Sequence, residues 1–444
     1  MLNKCLCLTL MLAPAFADQL QNRPPVLQLS LKQAVEIALA PEGSTRVQLA
    51  QEALKQAESR QAQSRAALLP DVEGYLSDQN QVRNLKAFGI QYPNVPGIRF
   101  PTIAGPFDVF DVRAQVNQTI FDFSTIRRYQ ASKVAVEASK ADNEGTRDQV
   151  TEQVARAYLS GLRAQAALDT AKANVELSEA LLSLARSQKA AGTGTGIEVT
   201  RAQVQLANDQ QRFLVAENEV ERAHLQLLKV LGVKLENAVE LTGKLSYIPG
   251  NSLEAQQAIE TAHRTRAELK AQQRKEQSAR INYSATKMER IPSLGAFADY
   301  GTIGSSVNDA FPTRTYGMTL RVPVFDGGRR DARRAESASL YRQEKIRTTD
   351  LRDQIDLDVR LALDSLRSAD AQVKAAEEGL KLSENELAQA QRRYKAGVTS
   401  SIEVTDAQTR LDRARENHIS ALYNHNLARI DLGAAMGTIQ SMIQ

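Results

Sequence analysis

Near its C-terminal end the chain reads "KAGVTSSIEVTDAQTRL", Lys395 to Leu411, and 205 residues earlier it reads "AAGTGTGIEVTRAQVQL", Ala190 to Leu206. At that constant spacing Gly192, Ile197, Glu198, Thr200, Gln203 and Gly232 recur as Gly397, Ile402, Glu403, Thr405, Gln408 and Gly437. Upstream, Phe121-Asp122 answers to Phe325-Asp326, Leu69-Pro70 to Ile291-Pro292, and Ser30-Leu31 to Ser252-Leu253. A chain written twice from one unit must build the same set of parts twice. The parts run helix, proline, two short strands, Phe-Asp, very long helix, glycine turn, helix, closing glycine. Residues 18–232 form the first structural repeat, 233–251 a linker, and 252–444 the second.

Helix dominates this reading. Proline is absent between Pro106 and Pro249 and after Pro323, so two tracts of more than a hundred residues lack the strongest helix breaker. Long helices are expected over 124–190 and 328–395, each about 100 Å at 1.5 Å per residue, followed by helices over 197–231 and 402–436. Their apolar residues are small and spaced near 3.5 to 3.6, as in Val150, Val154, Ala157, Leu168, Val175 and Leu182. That pattern suits coiled-coil-like packing of antiparallel hairpins, and the absence of Trp with 5% aromatics argues against a thick globular core. The opening helices are expected from Ser30 to about Leu68, with an interruption at Pro41 and Gly43, and from Ser252 to about Arg290. Ser30 followed by Gln33 has the spacing of a capping box.

Strands are expected over 71–78, 112–121, 294–303 and 315–325. In "VRAQVNQTIF", Val112, Ala114, Val116 and Ile120 oppose Arg113, Gln115, Asn117 and Thr119. In "TYGMTLRVPVF", Tyr316, Met318, Leu320, Val322 and Val324 oppose Thr315, Gly317, Thr319 and Arg321. One apolar and one polar face over nine to eleven residues is the pattern of an outer-membrane barrel strand, and equally of a half-buried soluble hairpin. If these segments meet lipid, four strands leave open edges that hydrocarbon does not tolerate, so several chains must share one barrel. The first hairpin is 18 residues longer than the second, and its excess, "YPNVPGIRFPTIAGP", has the composition of an external loop.

The N-terminus has the form of a cleaved secretory signal over 1–17: Lys4, the apolar "CLCLTLML", then Ala15-Phe16-Ala17 before Asp18. Both cysteines, Cys5 and Cys7, fall inside it, so no disulfide or thiolate chemistry is expected of the mature chain. The formal charge of +4 comes from interspersed acids and bases, without the basic stripe of a nucleic-acid binder. His224, His263, His418 and His425 stand in helical tracts without metal-like or triad-like settings, and no glycine-rich phosphate loop follows a strand. No cofactor, metal or enzymatic activity is expected.

With the duplicated "G…IEVTxAQ" tracts, the Leu-Pro and Ile-Pro strand entries and the "VFDGGRR" exit in place, the chain resembles the TolC family of outer-membrane efflux proteins over essentially its whole mature length. The resemblance implies a mainly α protomer with long antiparallel helical hairpins and four strands contributed to a shared transmembrane β-barrel. It implies a homotrimer in the cell outer membrane with a periplasmic helical extension. It also implies a periplasmic adaptor (membrane fusion) protein that links it to an inner-membrane pump of RND, ABC or MFS type. The function implied is passive exit of substrate; the rival reading is a periplasmic or secreted helical bundle without transport activity.

Under this resemblance the two glycine turns form the periplasmic tip, with Gly192, Thr195, Ile197, Gly397, Ser400 and Ile402 as adaptor contacts. Glycine also simply suits the end of one helix, and Thr or Ser the start of the next. Glu403 and Asp406, with Glu198 at the matched position of the first copy, line the implied constriction. Arg201 stands where the second copy has Asp406, and either neutralises part of the ring or pairs with Asp406. Acids in a first helical turn also complement the helix dipole, which is the plainer account of them. Tyr394, with Glu198 as partner, matches the family's gate latch, although Thr399 replaces an arginine that the prototype uses there.

Overall fold

The computed structural model describes residues 26–90, 102–249 and 254–443. The signal segment, Ser252 and residues 91–101 of the long hairpin loop lie outside them. In chain order the elements are β1 (Leu27–Leu29), α1 (Leu31–Leu39), α2 (Thr45–Ala66), β2 (Asp71–Asn84), β3 (Ile103–Phe121), α3 (Phe123–Ala190), α4 (Gly196–Leu231) and β4 (Val239–Leu241). Then come α5 (Ala255–Thr265), α6 (Ala267–Met288), β5 (Ser293–Gly304), β6 (Ala310–Arg321), α7 (Arg329–Lys395), α8 (Ser401–Ala435) and α9 (Ile439–Ile443). The chain divides into two compact units, one of residues 49–145 and 266–355, the other of the remaining described residues.

The first of these contains a single antiparallel sheet in the order β2-β3-β5-β6. Its registers bring one apolar set from each of the four strands onto one face: Val72 opposes Val116 and Leu76 opposes Val112, Val116 opposes Ala298, and Ala298 opposes Tyr316, while Tyr75, Phe297 and Ile303 lie on the other. Leu76, Tyr316, Met318 and Leu320 on that face are all strongly exposed. Toward the hairpin turns the face ends at Asp78 and Arg314. The opposite face carries an ion-pair cluster in which Arg113 meets Asp111 and Asp299. Strands β2 and β6 are the sheet's edges.

The sheet is longer than the hydropathy pattern marks. β2 continues past Asp78 to Asn84 and β3 starts at Ile103 rather than Val112, because the backbone ladder keeps pairing through polar residues such as Asn80 and Asp108. β6 occupies 310–321 rather than 315–325: Pro323 has no N–H to give to a ladder, and Val322 to Phe325 leave the sheet.

The other unit is built on a core that gathers Leu29, Ala34, Val35 and Val47 with Val150, Val154, Tyr158, Leu227, Leu231 and Ile430. Here the linker does more than connect, since β4 within it pairs in parallel with β1, Leu29 opposite Leu241. A three-residue strand is too short to show alternation. Ser30 caps α1 in a full capping box: its Oγ accepts from the Gln33 N–H at 3.3 Å and its own N–H donates to Gln33 Oε1 at 3.0 Å. The helix stops at Leu39, and a side chain at Gly43 would meet the Ile37 carbonyl at 2.3 Å. The second opening helix, read as continuous, breaks at Arg266, whose ψ of 117° is not helical. No glycine or proline marks that break. Beside it the Thr265 hydroxyl bonds the carbonyls of Thr261 and Met436, a tertiary tie with no local sequence signal.

Candidate functional site

The repeated tract folds twice into the same device. α3 ends in a turn where Gly192 has φ +74°, and α7 in one where Gly397 has φ +72°, a conformation in which a Cβ costs roughly 1–2 kcal/mol. In the first turn the Gly192 N–H donates to Lys189 O at 3.1 Å; in the second the Gly397 N–H donates to Tyr394 O at 3.0 Å. Thr195 and Ser400 then adopt extended backbone as N-caps of α4 and α8. Ile197 and Ile402 begin those helices with exposed side chains, and Val398 adds a third exposed apolar group. All six residues singled out for the tip therefore sit in or beside the two turns.

The carboxylates differ in how they are held. Glu198 accepts the Thr195 backbone N–H at 3.0 Å, closing its own helix's capping box. Glu403 accepts the Thr399 hydroxyl and lies 3.4 Å from Arg393 Nε. Thr399, the departure from the family pattern, thus still reaches the acid. Asp406 is exposed, and among the described residues it makes no ion pair with Arg201. Arg201 instead lines a cavity of about 20 Å³ with Glu198, Tyr394, Ser401 and Gln408. Tyr394 is buried in an apolar cluster with Leu387, Val404 and Leu411, and its hydroxyl has no hydrogen-bond partner among the described residues. Burial raises its phenol above the ordinary value, and the nearby negative Glu198 adds to the shift.

Sequence reading missed a polar network in the same helices. The Ser178 hydroxyl on α3 donates to Asp209 on α4, and the Gln408 amide on α8 donates to Ser178 at 3.0 Å. Gln205 adds two bonds to Asp209, at 3.1 and 3.2 Å. All of Ser178, Asp209 and Gln408 are fully buried, so three helices are tied through one carboxylate. Arg212 reaches outward from it to Asp412, at 3.6 Å. Asp412 is raised to about 6, first by burial and then by the charge of Asp209, against the pull of Arg212 and Arg415.

His263 and His425 have carboxylate neighbours on α7, Asp356 at 2.7 Å and Asp370 at 2.9 Å. These are helix-to-helix contacts, and among the described residues no cluster of His, Cys, Asp and Glu is placed to hold a metal. Nor is any described helix long and apolar enough to cross a membrane.

A model of the outer membrane efflux protein family matches residues 37–233 and 258–438. The chain is 24% identical over 391 residues to the pyoverdine export outer membrane protein OpmQ of Pseudomonas putida, spanning 86% of this chain and 81% of that one. It is 23% identical over 313 residues to the outer membrane protein TolC of Vibrio cholerae, 68% of this chain and 71% of that one. Among solved structures, the outer membrane channel CmeC of Campylobacter jejuni shares the fold with a TM-score of 0.79 at 16% identity, covering 92% of this chain and 86% of its own. The outer membrane protein VceC of Vibrio cholerae does so with a TM-score of 0.76 at 18% identity, covering 92% and 96%.

Proposed function

The chain belongs to the outer membrane efflux protein family, a family of transport channels, and from that premise we propose that it is the passive exit duct of a multi-component efflux or secretion system, working as a homotrimer. The observation that carries this reading is the sheet. Four strands present one continuous apolar face, strongly exposed on β2 and β6, and end in two unpaired edges. In hydrocarbon each unpaired backbone group costs several kcal/mol, so β2 of one copy must meet β6 of the next until the ring closes. Three copies supply twelve strands, within the range of outer-membrane barrels. Residues 1–17 serve as the export signal.

The glycine turns are the end at which an adaptor docks, and through it an inner-membrane RND, ABC or MFS pump supplies the energy. Gly192, Thr195, Ile197, Gly397, Ser400 and Ile402 form the contact. Three copies bring Glu403 and Asp406 together as a ring of carboxylates that attracts cations. Asp406, without an ion pair among the described residues, carries more of that effect than Glu403, which Thr399 and Arg393 already engage. Tyr394 and Glu198 form the latch region, with Arg201 beside them.

The test is reconstitution of the purified chain in planar bilayers. Discrete conductance, blocked by multivalent cations from the periplasmic side, is expected, and Asp406→Ala should weaken the block more than Glu403→Ala. Recovery of the protein as a soluble monomer in the periplasmic extract would refute the duct; unchanged block in the double variant would remove the carboxylate ring alone.

A further inference from the structure

Both repeats leave the sheet through Phe-Asp and enter a long helix that opens with paired arginines: Arg127-Arg128 in α3, then Arg329-Arg330 and Arg333-Arg334 in α7. Helix stability does not explain them. The N-terminal turn is the positive end of the helix dipole, where cations are disfavoured by about 0.3–1 kcal/mol each. The first turn of α3 holds no acid and that of α7 only Asp331.

Local acids leave much of this charge uncompensated. Asp122 is used in capping α3, accepting the Ser124 N–H at 2.9 Å; Asp326 accepts the Arg330 N–H at 3.1 Å and also pairs with that residue's guanidinium, 3.5 Å from its Nε. Glu289, nearly buried, is shared by two guanidiniums, one from each repeat: Arg128, and Arg333 at 2.7 Å. Among the described residues no carboxylate pairs with Arg127, Arg329 or Arg334; Arg127 donates to Gln130, and Arg334 bonds Tyr283. All three are exposed.

Immediately before these arginines come the most exposed apolar side chains of the strand exits, Val324 at 91% and Phe325 at 87%, with Phe121 and Phe123 in edge contact at 4.2 Å in the other repeat. An apolar fringe followed by cations is the order met on leaving hydrocarbon for a headgroup layer. The dimensions agree: a headgroup layer is about 5–8 Å thick, and the paired arginines fall within roughly the first 8 Å of each helix.

We propose that the arginine-rich openings of α3 and α7 form a collar that binds the phosphates of anionic phospholipids in the leaflet facing the periplasm. This rests on the reading of the sheet as membrane-spanning. The lipid supplies the negative charge that Arg127, Arg329 and Arg334 do not find in a carboxylate among the described residues. The carboxylate of Glu289 holds one arginine of each repeat in place, so the collar spans both strand exits.

The experiment reconstitutes the full chain in bilayers of phosphatidylcholine, and of phosphatidylcholine with a third replaced by phosphatidylglycerol, then counts the phospholipid retained after mild detergent extraction. Wild type should retain phosphatidylglycerol above its bulk share, and rising salt should erode that enrichment. The triple variant Arg127→Gln, Arg329→Gln, Arg334→Gln should insert normally yet lose at least about fivefold in enrichment, the equivalent of the ~1 kcal/mol expected of a single basic residue at an anionic surface. Arg222→Gln on α4 should change nothing. Normal insertion with salt-insensitive retention in wild type, or with undiminished retention in the triple variant, overturns the collar alone. Failure of wild type to enter either bilayer overturns the membrane reading and the collar with it.

Discussion

Asp412 is where a single residue has the clearest measurable consequence. Its carboxyl faces Asp209 and Arg212 of α4, Asn174 of α3 and Arg415 of its own helix, and the balance raises it to about 6 from an ordinary 3.8. A raised carboxyl binds its proton more tightly in the packed helices than in unfolded chain. Its contribution to stability is therefore complete below about pH 4 and lost as pH rises through about 6. Acidification across that window should raise the melting temperature, and Asp412→Asn should be more stable than wild type at neutral pH with a flatter profile below it. Thermal scans of both proteins check this; parallel profiles would contradict it. Nothing in the sequence pointed to this cluster, because duplication is what made residues legible and Asp412 has Ala207 at its matched position. Asp209, matched by Ala414, is equally invisible: on a helix with interspersed charge a buried acid reads as a surface one. Glu198, by contrast, was legible because Glu403 repeats it, and in the structure it accepts the Thr195 N–H within α4's capping box.

At the scale of elements, two glycines with nearly identical backbone do different things. Gly192 has φ +74° and open space around a built Cβ, whereas Gly232, φ +76°, would place a Cβ 2.5 Å from the Gly43 carbonyl. Gly192→Ala should cost only the conformational penalty of roughly 1–2 kcal/mol. Gly232→Ala must also push α4's end away from the break between α1 and α2, and should cost distinctly more. Denaturation midpoints of the two variants decide it, with equal losses ruling out the close approach. If the tip meets an adaptor, a bulky residue at Gly192 or Gly397 should lower export in cells while trimers still form. Helix ends of this kind were readable because glycine, threonine and serine act locally. The break at Arg266 was not, since its visible tie, from Thr265 to Met436, is a contact 171 residues away. Strand ends were misplaced for a related reason: alternation marks where side chains separate into two environments, while the hydrogen-bond ladder of β2 and β3 runs on beyond it.

For the whole molecule the decisive property is that the sheet has two faces and no closure of its own. Which face is apolar was written singly in the segments that became β3 and β6, but only the registers show that the sets of β2 and β5 join them: Val72 beside Val116, Val116 beside Ala298, Ala296 beside Met318, Leu294 beside Leu320. A one-residue slip in any pair would turn that strand's apolar set to the other side. Met318 and Thr319 are adjacent in β6 and point to opposite faces, Met318 with the apolar set and Thr319 with the polar one opposite Gly295. Lysine at the middle of a lipid-facing band costs about 2–4 kcal/mol, whereas on the lumen side it meets water. Met318→Lys should therefore sharply reduce the heat-modifiable, outer-membrane fraction of the protein, and Thr319→Lys should leave assembly intact while altering ion selectivity in bilayers. The pairing of the two variants separates lipid exposure from a mere need for packing. If the apolar face were instead covered by protein, Met318→Lys would yield misfolded chain rather than a folded monomer barred from the membrane. If neither face met lipid, the two lysines would be tolerated alike.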